Sequence, residues 1–217
     1  MYIQITTRCN MECAHCCNSC GPKTGGHMSK ATFLKALDLC EQYGESPFLG
    51  GGEPTVHPQF WEFFGAIMAR YTRFDVGIGM VTNGKKTEDA LALAALAKGG
   101  ILSVELSQDS YHEDIADEVV EAFTKGNKRL GYGERDNDMR GIRSGADQTV
   151  YAQGRGVNIS GAEEGCCCEE IVIDPEGRIW ACGCKKVQYG TVDAPEIPAE
   201  HESGTCYGVM MEEKANV

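Results

Sequence analysis

Three cysteines near the start of the chain constrain its fold and chemistry more than any other feature. Cys9, Cys13 and Cys16 are spaced Cys-x3-Cys-x2-Cys. Thiolates hold iron–sulfur clusters, and a compact loop with three of them can ligate three irons of a [4Fe–4S] cube and leave the fourth open. Paired zinc sites instead repeat Cys-x2-Cys and close all four positions, so the spacing favours a cluster over zinc. Cys17 and Cys20 lie outside this spacing and are expected to be free thiols.

The cysteine count also indicates the compartment. The chain of 217 residues has 12 cysteines, concentrated in residues 9–20 and 166–184. Such clustering is typical of metal binding rather than of a disulfide framework, which is characteristic of small secreted domains. No basic and apolar leader precedes Tyr2, and no apolar run reaches the roughly 20 residues that a membrane span needs. We therefore expect a cytoplasmic protein in a reducing environment.

The charge balance argues against one class of partner. The formal net charge is −12, and binding to duplex nucleic acid depends largely on lysine and arginine contacts with phosphates. Nucleic acid is therefore not favoured, although six lysines and arginines in residues 125–143 leave room for a local basic groove. We interpret that segment as a solvated loop of mixed charge.

Four alternations of strand and helix organise the first part of the chain. Short apolar runs predict strands, and each is followed by an apolar stripe at helical spacing. Ser29 is the expected N-cap of the first helix and Gly44 its C-terminal cap. The predicted strands are 2–6, 47–49, 76–81 and 101–106, and the predicted helices are 29–43, 58–71, 87–98 and 114–123. This order favours an α/β fold with a parallel sheet that curls as an incomplete (β/α) barrel.

The pattern weakens in the middle of the chain. Residues 124–148 predict a long loop or lid with few large apolar side chains, unless residues 139–144 form a short helix. Residues 149–152 and 157–160 predict the last two core strands, with a Gly-Arg-Gly turn between them. A full barrel of six βα units would need more residues than this, so we expect the barrel to be open and abbreviated.

The last part of the chain combines cysteines with a β-hairpin. Residues 171–174 and 178–181 alternate around Pro-Glu-Gly, and the hairpin brings Cys182-Gly183-Cys184 near three consecutive cysteines at 166–168. Proline, glutamate and glycine predict a surface tail from Val187 onward. We divide the chain into a core of residues 1–165 and a cysteine-rich extension of residues 166–217.

Glycine-rich and polar motifs follow three of the predicted strands, where ligands bind in parallel barrels. Each also has a structural interpretation. Glu53 can cap the next helix, Asn83-Gly84 is a common turn, and Asp109 is a suitable N-cap. The three motifs are Gly51-Gly52-Glu53-Pro54, Thr82-Asn83-Gly84 and Ser107-Gln108-Asp109.

With these motifs in this order, the chain resembles the radical S-adenosylmethionine (SAM) enzymes, whose signature is Cys-x3-Cys-x-aromatic-Cys. The resemblance implies that Cys9, Cys13 and Cys16 ligate a [4Fe–4S] cluster whose open iron binds the amino and carboxylate groups of SAM. The reduced cluster then cleaves SAM to a 5′-deoxyadenosyl radical, which abstracts a hydrogen atom from the substrate. His15 occupies the aromatic position of the signature, which packs near the adenine in this family.

The resemblance also implies which residues bind SAM. The Gly-Gly-Glu-Pro motif of the family lies against the methionyl ammonium, and backbone carbonyls and a carboxylate are suitable acceptors for it. Arg155 is expected to pair with the SAM carboxylate or a substrate anion, or else to be a surface arginine. The other implied SAM or substrate contacts are Gly51, Gly52, Glu53 and Pro54, then Thr82 and Asn83, then Ser107 and Asp109, with Tyr111 and His112 facing the substrate.

The C-terminal cysteines partly match a second family feature. Cys167-x9-Gly177-x4-Cys182 resembles the opening of the SPASM or twitch extension, which carries auxiliary iron–sulfur clusters, while most of its downstream cysteines are absent. A second cluster, a zinc site and a hairpin with free thiols are all open alternatives. The candidate ligands are Cys167, Cys168, Cys182 and Cys184.

The predicted function is that of a radical SAM enzyme, with a low-potential electron donor such as flavodoxin or ferredoxin as its implied partner. The sequence does not identify the substrate, which we expect to be a small molecule, a nucleoside or nucleic-acid base, or a peptide. The rival hypothesis is a non-catalytic protein that uses its cysteines for a zinc or iron–sulfur site, in a structural or redox-sensing role.

Overall fold

The structure is a computed structural model, and it describes residues 1–71, 78–124, 138–144, 149–164 and 170–201. Nine strands in these ranges form one sheet in the order β5-β4-β3-β2-β1-β6-β7-β8-β9. The strands are β1 Tyr2–Thr6, β2 Phe48–Gly51, β3 Gly79–Thr82, β4 Ser103–Gln108, β5 Arg140–Ser144, β6 Val172–Ile173, β7 Arg178–Trp180, β8 Gln188–Thr191 and β9 Ala194–Pro195. The helices are α1 Lys30–Tyr43, α2 Phe60–Arg70, α3 Thr87–Lys98 and α4 Asp117–Thr124.

The first six strands form the parallel part of the sheet. β1 to β5 pair in parallel with their sequence neighbours, and β6 pairs in parallel with β1 on its other side. β7, β8 and β9 then continue the sheet in antiparallel fashion. The parallel strands do not close on themselves in the described part of the chain. The predicted α/β fold with an incomplete parallel barrel is therefore confirmed.

Alternation along β1 separates the two faces of the sheet. Ile3 and Ile5 are fully buried in the core, together with Phe33 and Leu37 of α1. Gln4 lies between the two isoleucines in the strand and therefore points to the opposite face, where it is also buried. This polar face is the one on which a ligand can bind.

The caps of α1 agree with the sequence. The Ser29 hydroxyl accepts a hydrogen bond from the Thr32 backbone N–H at 3.1 Å, which satisfies one of the free donors of the first turn. Gly44 ends the helix with φ of +66°, a conformation that favours glycine. Both predictions are confirmed.

Several predictions for the later part of the chain are wrong. Residues 140–144 form β5 rather than a helix, because β4 supplies a parallel partner for them. Residues 157–160 are not a strand, since Gly154–Asn158 form a 3₁₀ helix. Residues 149–152 contribute one isolated bridge, between Tyr151 and Glu163.

The expected surface tail after Val187 is also wrong over residues 188–201, and the rest of it lies outside the described residues. Tyr189 is 7% exposed in β8, and β8 and β9 extend the sheet beyond the predicted hairpin of β6 and β7. No helix in the described residues is long and apolar enough to span a membrane.

Candidate functional site

The end of β1 carries the loop of residues 9–20, which we call the cysteine loop. Two backbone hydrogen bonds fix its start against the strand end of β2. The Gly52 N–H donates to the Thr6 carbonyl at 2.8 Å, and the Glu53 N–H donates to the Arg8 carbonyl at 2.9 Å. A Cβ on Gly52 would lie 2.2 Å from the Arg8 carbonyl oxygen, so this approach requires glycine.

The three cysteines of the predicted triad interact electrostatically, but their sulfur atoms are not grouped closely around a single position. Among the described residues, the only three ligand-type side chains with ligand atoms all within 4.8 Å of one another are His15, Asp109 and His112. Tetrahedral zinc holds its sulfurs about 3.8 Å apart, given Zn–S bonds of about 2.3 Å. A cluster spreads its thiolates over different irons. The arrangement therefore fits a cluster better than a single zinc ion.

The thiols of the cysteine loop influence one another electrostatically. The pKa of Cys13 is raised to about 11, by burial first and then by the neighbouring charges of Cys9 and Cys16. The pKa of Cys9 is also raised, chiefly by burial. A hydrogen bond from the Cys20 side chain lowers the pKa of Cys16 to about 6. Cys20 is a free thiol as expected, and it is buried and hydrogen-bonds with Cys16.

Glu53 is the central acceptor at the strand ends. Its carboxylate is 1% exposed, and its Oε1 accepts from the Thr55 N–H, the Thr55 hydroxyl and the Thr82 hydroxyl at 3.1, 2.7 and 2.9 Å. Its Oε2 accepts from the Asn83 N–H at 2.7 Å. Burial raises the pKa of Glu53, and these donors oppose that effect. Glu53 is the N-cap of the 3₁₀ helix Pro54–Val56, whereas the next predicted helix is α2 with Gln59 as its N-cap, so the expectation that Glu53 caps that helix is wrong.

Asn83 links the end of β3 to the cysteine loop. Its Nδ2 donates to Asn10 Oδ1 at 2.8 Å and lies 3.5 Å from Cys9 Sγ. Its Oδ1 accepts from the Lys85 N–H at 3.0 Å. Asn83 therefore belongs to the immediate surroundings of the cluster position, as well as to the predicted SAM pocket.

Asp109, after β4, gathers two histidines. Its Oδ1 lies 2.8 Å from His112 Nδ1, and its Oδ2 lies 3.4 Å from His15 Nε2. The Asp109 carboxylate also accepts from the Tyr111 N–H at 2.8 Å, and the Tyr111 ring lies 5.0 Å from that of His15. Burial lowers the pKa of His15, so its neutral form is favoured. Ser107 lies in β4, opposite Arg143 of β5.

The ends of β1, β2, β3 and β4 thus bring together most of the residues predicted from the sequence. The sequence model of the Radical SAM superfamily matches residues 3–130, more than half of the chain. The chain belongs to the Radical SAM superfamily.

Curated relatives match about half of this radical SAM protein. Mycofactocin maturase MftC of Mycobacterium ulcerans is 32% identical over 117 residues, which are 54% of this chain and 30% of that protein. The tungsten-containing aldehyde ferredoxin oxidoreductase cofactor-modifying protein of Pyrococcus furiosus is 36% identical over 112 residues, 50% of this chain and 30% of that protein. The matched segments therefore span less than a third of these relatives.

Solved structures extend the likeness of fold to most of the chain. BtrN in complex with AdoMet and 2-DOIA superposes with a TM-score of 0.61 at 17% identity, over 92% of this chain and 78% of that one. anSMEcpe with bound AdoMet and the Cp18Cys peptide gives 0.56 at 13% identity, over 96% and 81%. At these identities the likeness shows the shared fold.

Outside the matched segment of the radical SAM core, Arg155 holds the cysteine loop from the other side. Its Nε donates to the Cys13 carbonyl at 2.9 Å and its Nη2 to the Cys20 carbonyl at 2.7 Å. Its backbone N–H donates to the Cys16 carbonyl at 3.0 Å. The alternative that Arg155 is a surface arginine is therefore wrong. Its guanidinium nitrogens Nε and Nη2 both bind loop carbonyls.

Of the C-terminal candidates, two are described. Cys182 Sγ and Cys184 Sγ lie 3.0 Å apart in the turn after β7. Gln153 donates to the Gly183 carbonyl at 2.9 Å in the same turn. Cys167 and Cys168 lie outside the described residues.

Three residues at the site were missed from the sequence. Asn10 contacts Asn83 and Lys85, and Cys20 contacts Cys16. Lys185 has φ of +55° and donates to Gln4 Oε1 at 2.5 Å. Asn10 and Cys20 could have been predicted, because both lie inside a cysteine-rich loop. No local sequence pattern indicates Lys185.

Proposed function

We propose that this chain is a radical SAM enzyme with a [4Fe–4S] cluster on Cys9, Cys13 and Cys16 and SAM on the open iron. Once bound and reduced, the cluster supplies one electron that cleaves SAM to methionine and a 5′-deoxyadenosyl radical, which abstracts hydrogen from the substrate. The observation that carries the proposal is the triad itself. Its three thiols are coupled by charge at the end of β1 without being gathered around a single ion.

The residues at the strand ends fit a bound SAM. We assign the methionyl ammonium to the backbone of Gly51 and Gly52 and to Glu53 Oε2, which accepts one protein donor and has capacity for another. Thr82 orients the Glu53 carboxylate, and Pro54 begins the turn that Glu53 caps. Acceptors held in place in this way bind an ammonium without rearrangement.

The adenosine half of SAM is assigned to the other side of the loop. His15 lies against Tyr111 and Asp109, so its ring is held in a position suited to packing against adenine. We assign Asn83, Ser107 and Asp109 to polar contacts with SAM or the substrate. Arg155 is assigned to this site because it donates a hydrogen bond to the cysteine loop.

The electron must come from outside the chain. We propose a low-potential donor of the flavodoxin or ferredoxin type, in a cytoplasmic environment that keeps the thiols reduced. We also propose a second iron–sulfur cluster in the extension of residues 166–217. Its candidate ligands are Cys167, Cys168, Cys182 and Cys184.

The proposal stops at radical formation and does not name a substrate. MftC is named a maturase, BtrN was solved with 2-DOIA, and anSMEcpe was solved with a peptide. The superfamily core therefore occurs with more than one class of substrate. Transfer of deuterium from a labelled candidate into 5′-deoxyadenosine would identify the substrate of this chain.

The central experiment measures SAM cleavage after anaerobic reconstitution with iron and sulfide. With SAM and dithionite, we expect the wild-type chain to form 5′-deoxyadenosine and Cys13→Ala to form none. Cys17→Ser is the matched control, since it changes a thiol of the same loop outside the triad, and it should retain activity. Stoichiometric zinc in the purified protein, with no 5′-deoxyadenosine after reconstitution, would support the non-catalytic rival instead.

A further inference from the structure

The segment Gly154-Arg155-Gly156 lies against the cysteine loop, more than 130 residues away in the chain. Arg155 donates three hydrogen bonds to it, from Nε to the Cys13 carbonyl, from Nη2 to the Cys20 carbonyl and from its backbone N–H to the Cys16 carbonyl. Together these acceptors span the loop from its second triad cysteine to its end. One side chain therefore fixes the spacing of carbonyls that lie seven positions apart.

The glycines on either side make this contact possible. A Cβ on Gly154 would lie 2.3 Å from the Cys17 carbonyl oxygen and 2.6 Å from that of Cys16, and its φ is +57°. A Cβ on Gly156 would lie 2.4 Å from the Tyr151 carbonyl oxygen. Such distances exclude a side chain at either position, so the backbone of this segment packs directly on the loop.

Each of the three contacts of Arg155 joins two protein atoms. Loop carbonyls without partners would need water or one another, and a loop of this length has few regular hydrogen bonds of its own. The planar guanidinium has several donors in a fixed geometry and binds two carbonyls at once. Arg155 thus connects the two ends of residues 13–20 through backbone carbonyls and does not use the thiols.

The charge of Arg155 also lies beside the loop that carries the thiols. Its guanidinium lies within hydrogen-bond distance of the backbone of two residues in the cysteine loop, at 2.9 Å from the Cys13 carbonyl oxygen and 2.7 Å from that of Cys20. A cluster held by three thiolates gains a further negative charge when it is reduced. A fixed positive charge beside it stabilises the reduced form and raises the reduction potential.

We propose that Arg155 is a positioning residue of the cluster loop, which holds residues 13–20 in a cluster-ready shape before iron binds and raises the reduction potential of the bound cluster. The second half of the proposal depends on the proposed function. The first half does not, because loop order is a property of the metal-free chain.

Two substitutions separate the two effects. Arg155→Met removes both the donors and the charge. Arg155→Lys keeps the charge but replaces the planar fork with a single ammonium, which does not reproduce the bonds to Cys13 and Cys20 together. Arg70→Met changes a half-buried arginine of α2 that pairs with Asp38, and it is the matched control for losing an arginine elsewhere.

The first measurement is amide hydrogen exchange of the metal-free protein. We expect faster exchange at the Cys16 and Ser19 N–H groups in both Arg155 variants, and unchanged exchange in Arg70→Met. These two amides donate to the Cys13 and Cys16 carbonyls inside the loop, so they report its shape. Wild-type exchange rates in both Arg155 variants would overturn the positioning role, whether or not the chain proves to be an enzyme.

The second measurement is an anaerobic redox titration of the reconstituted cluster, followed by its electron paramagnetic resonance signal. At a fixed potential we expect the ratio of reduced to oxidised cluster to fall about tenfold in Arg155→Met, which for one electron is a shift of about 59 mV to more negative values. Arg155→Lys should stay close to wild type. An unshifted potential in Arg155→Met, in protein with full iron content and a wild-type circular dichroism spectrum, would overturn the electrostatic role.

The two measurements also separate failure of this inference from failure of the proposed function. If the wild-type chain binds no cluster and forms no 5′-deoxyadenosine, the proposed function fails, and hydrogen exchange still decides the positioning role. If the wild-type chain binds a cluster and cleaves SAM but the Arg155 variants match it in both measurements, only the inference about Arg155 fails.

Discussion

The two cysteine-rich regions of the molecule differ in how they are held. The cysteine loop of residues 9–20 receives side chains from three distant segments, namely Asn83 and Lys85 after β3, Glu113 after β4, and Arg155. The long-range side-chain contacts of the turn of residues 182–185 include one from Gln153 to the Gly183 carbonyl and one from Lys185 to Gln4.

This difference separates a loop that distant side chains hold from a turn whose proposed ligands are incomplete in the described residues. The cysteine loop is held by hydrogen bonds from Asn83, Lys85 and Arg155. Cys182 and Cys184 lie side by side, and their proposed partners, Cys167 and Cys168, are in the segment before β6. We therefore expect the first region to tolerate little change and the second to matter less for SAM cleavage.

The largest expected effect comes from removing the triad. In Cys9→Ala/Cys13→Ala/Cys16→Ala we expect 5′-deoxyadenosine formation to fall below detection, because the variant lacks the ligands of the cluster that binds SAM. If the second cluster exists as proposed, the variant should retain iron after reconstitution, and iron content with the electron paramagnetic resonance spectrum would measure it. Cys182→Ala/Cys184→Ala is the complement, expected to lose that iron and keep SAM cleavage. Absence of iron from the triad variant would contradict the second cluster.

The next largest effect tests how tightly the cysteine loop is packed. Gly154→Ala must adopt φ of +57° and place a Cβ 2.3 Å from the Cys17 carbonyl oxygen. We expect a loss of about 3 kcal/mol in the free energy of unfolding, from the backbone strain and the overpacking together. Urea denaturation of the metal-free protein would measure it.

Gly161→Ala separates these two costs. Gly161 has φ of +84°, and a Cβ there would meet nothing within 4 Å. Only the backbone strain applies, so the expected loss is about 1 kcal/mol. Equal losses in Gly154→Ala and Gly161→Ala would mean that the Gly154 segment does not press on the loop.

The same contrast explains what the sequence predicted. Local signals were sufficient for α1, because Ser29 and Gly44 act on their own turns. The residues of the strand ends were also predictable, since strands in a parallel sheet end at one edge and Glu53, Asn83 and Asp109 each follow a strand. These predictions depend on few distant contacts.

The failures are those in which a distant partner decides the structure. Arg140–Ser144 has no apolar alternation and becomes β5 through pairing with β4. Residues 157–160 do alternate, yet two of the four belong to the 3₁₀ helix Gly154–Asn158, which includes Arg155 and its contact with the loop. The contact between Arg155 and Cys13 joins residues 142 positions apart, and no local pattern encodes it.

A smaller effect comes from a buried histidine that contacts the segment between the cysteine loop and α1. His57 is buried, its Nε2 lies 2.9 Å from the Met28 carbonyl and its Nδ1 accepts from the Gln59 N–H at 3.0 Å. Burial lowers the pKa of His57. The folded state therefore binds fewer protons than the unfolded state, and its stability should decline as the pH falls below about 6.5, the ordinary histidine value.

His57→Gln tests this dependence, because glutamine keeps a donor for the Met28 carbonyl but does not titrate. We expect the urea midpoint of the wild-type protein to fall more than that of the variant between about pH 7.5 and about pH 5.5. The pKa of His27, which contacts His57, is also lowered, so the variant should keep some pH dependence. Parallel pH profiles would show that His57 does not carry the effect.

The smallest expected effect compares one exposed anchor from each region. Lys85 donates to the Asn10 carbonyl at 3.0 Å and pairs with Glu113, whereas Lys35 of α1 pairs with Asp193 beside β9. Exposed ion pairs contribute about 0.2–1 kcal/mol because water screens them, so Lys35→Ala should cost no more than this. Lys85→Ala also removes a donor to the cysteine loop, and we expect its cost to be larger by about 0.5–1 kcal/mol.

Urea denaturation at low and high salt would separate the two terms, because salt weakens the ion pairs but not the hydrogen bond to Asn10. If the cost of Lys85→Ala vanished at high salt, Lys85 would be a surface charge like Lys35, and the cysteine loop would depend on Asn83, Glu113 and Arg155 alone among these distant side chains.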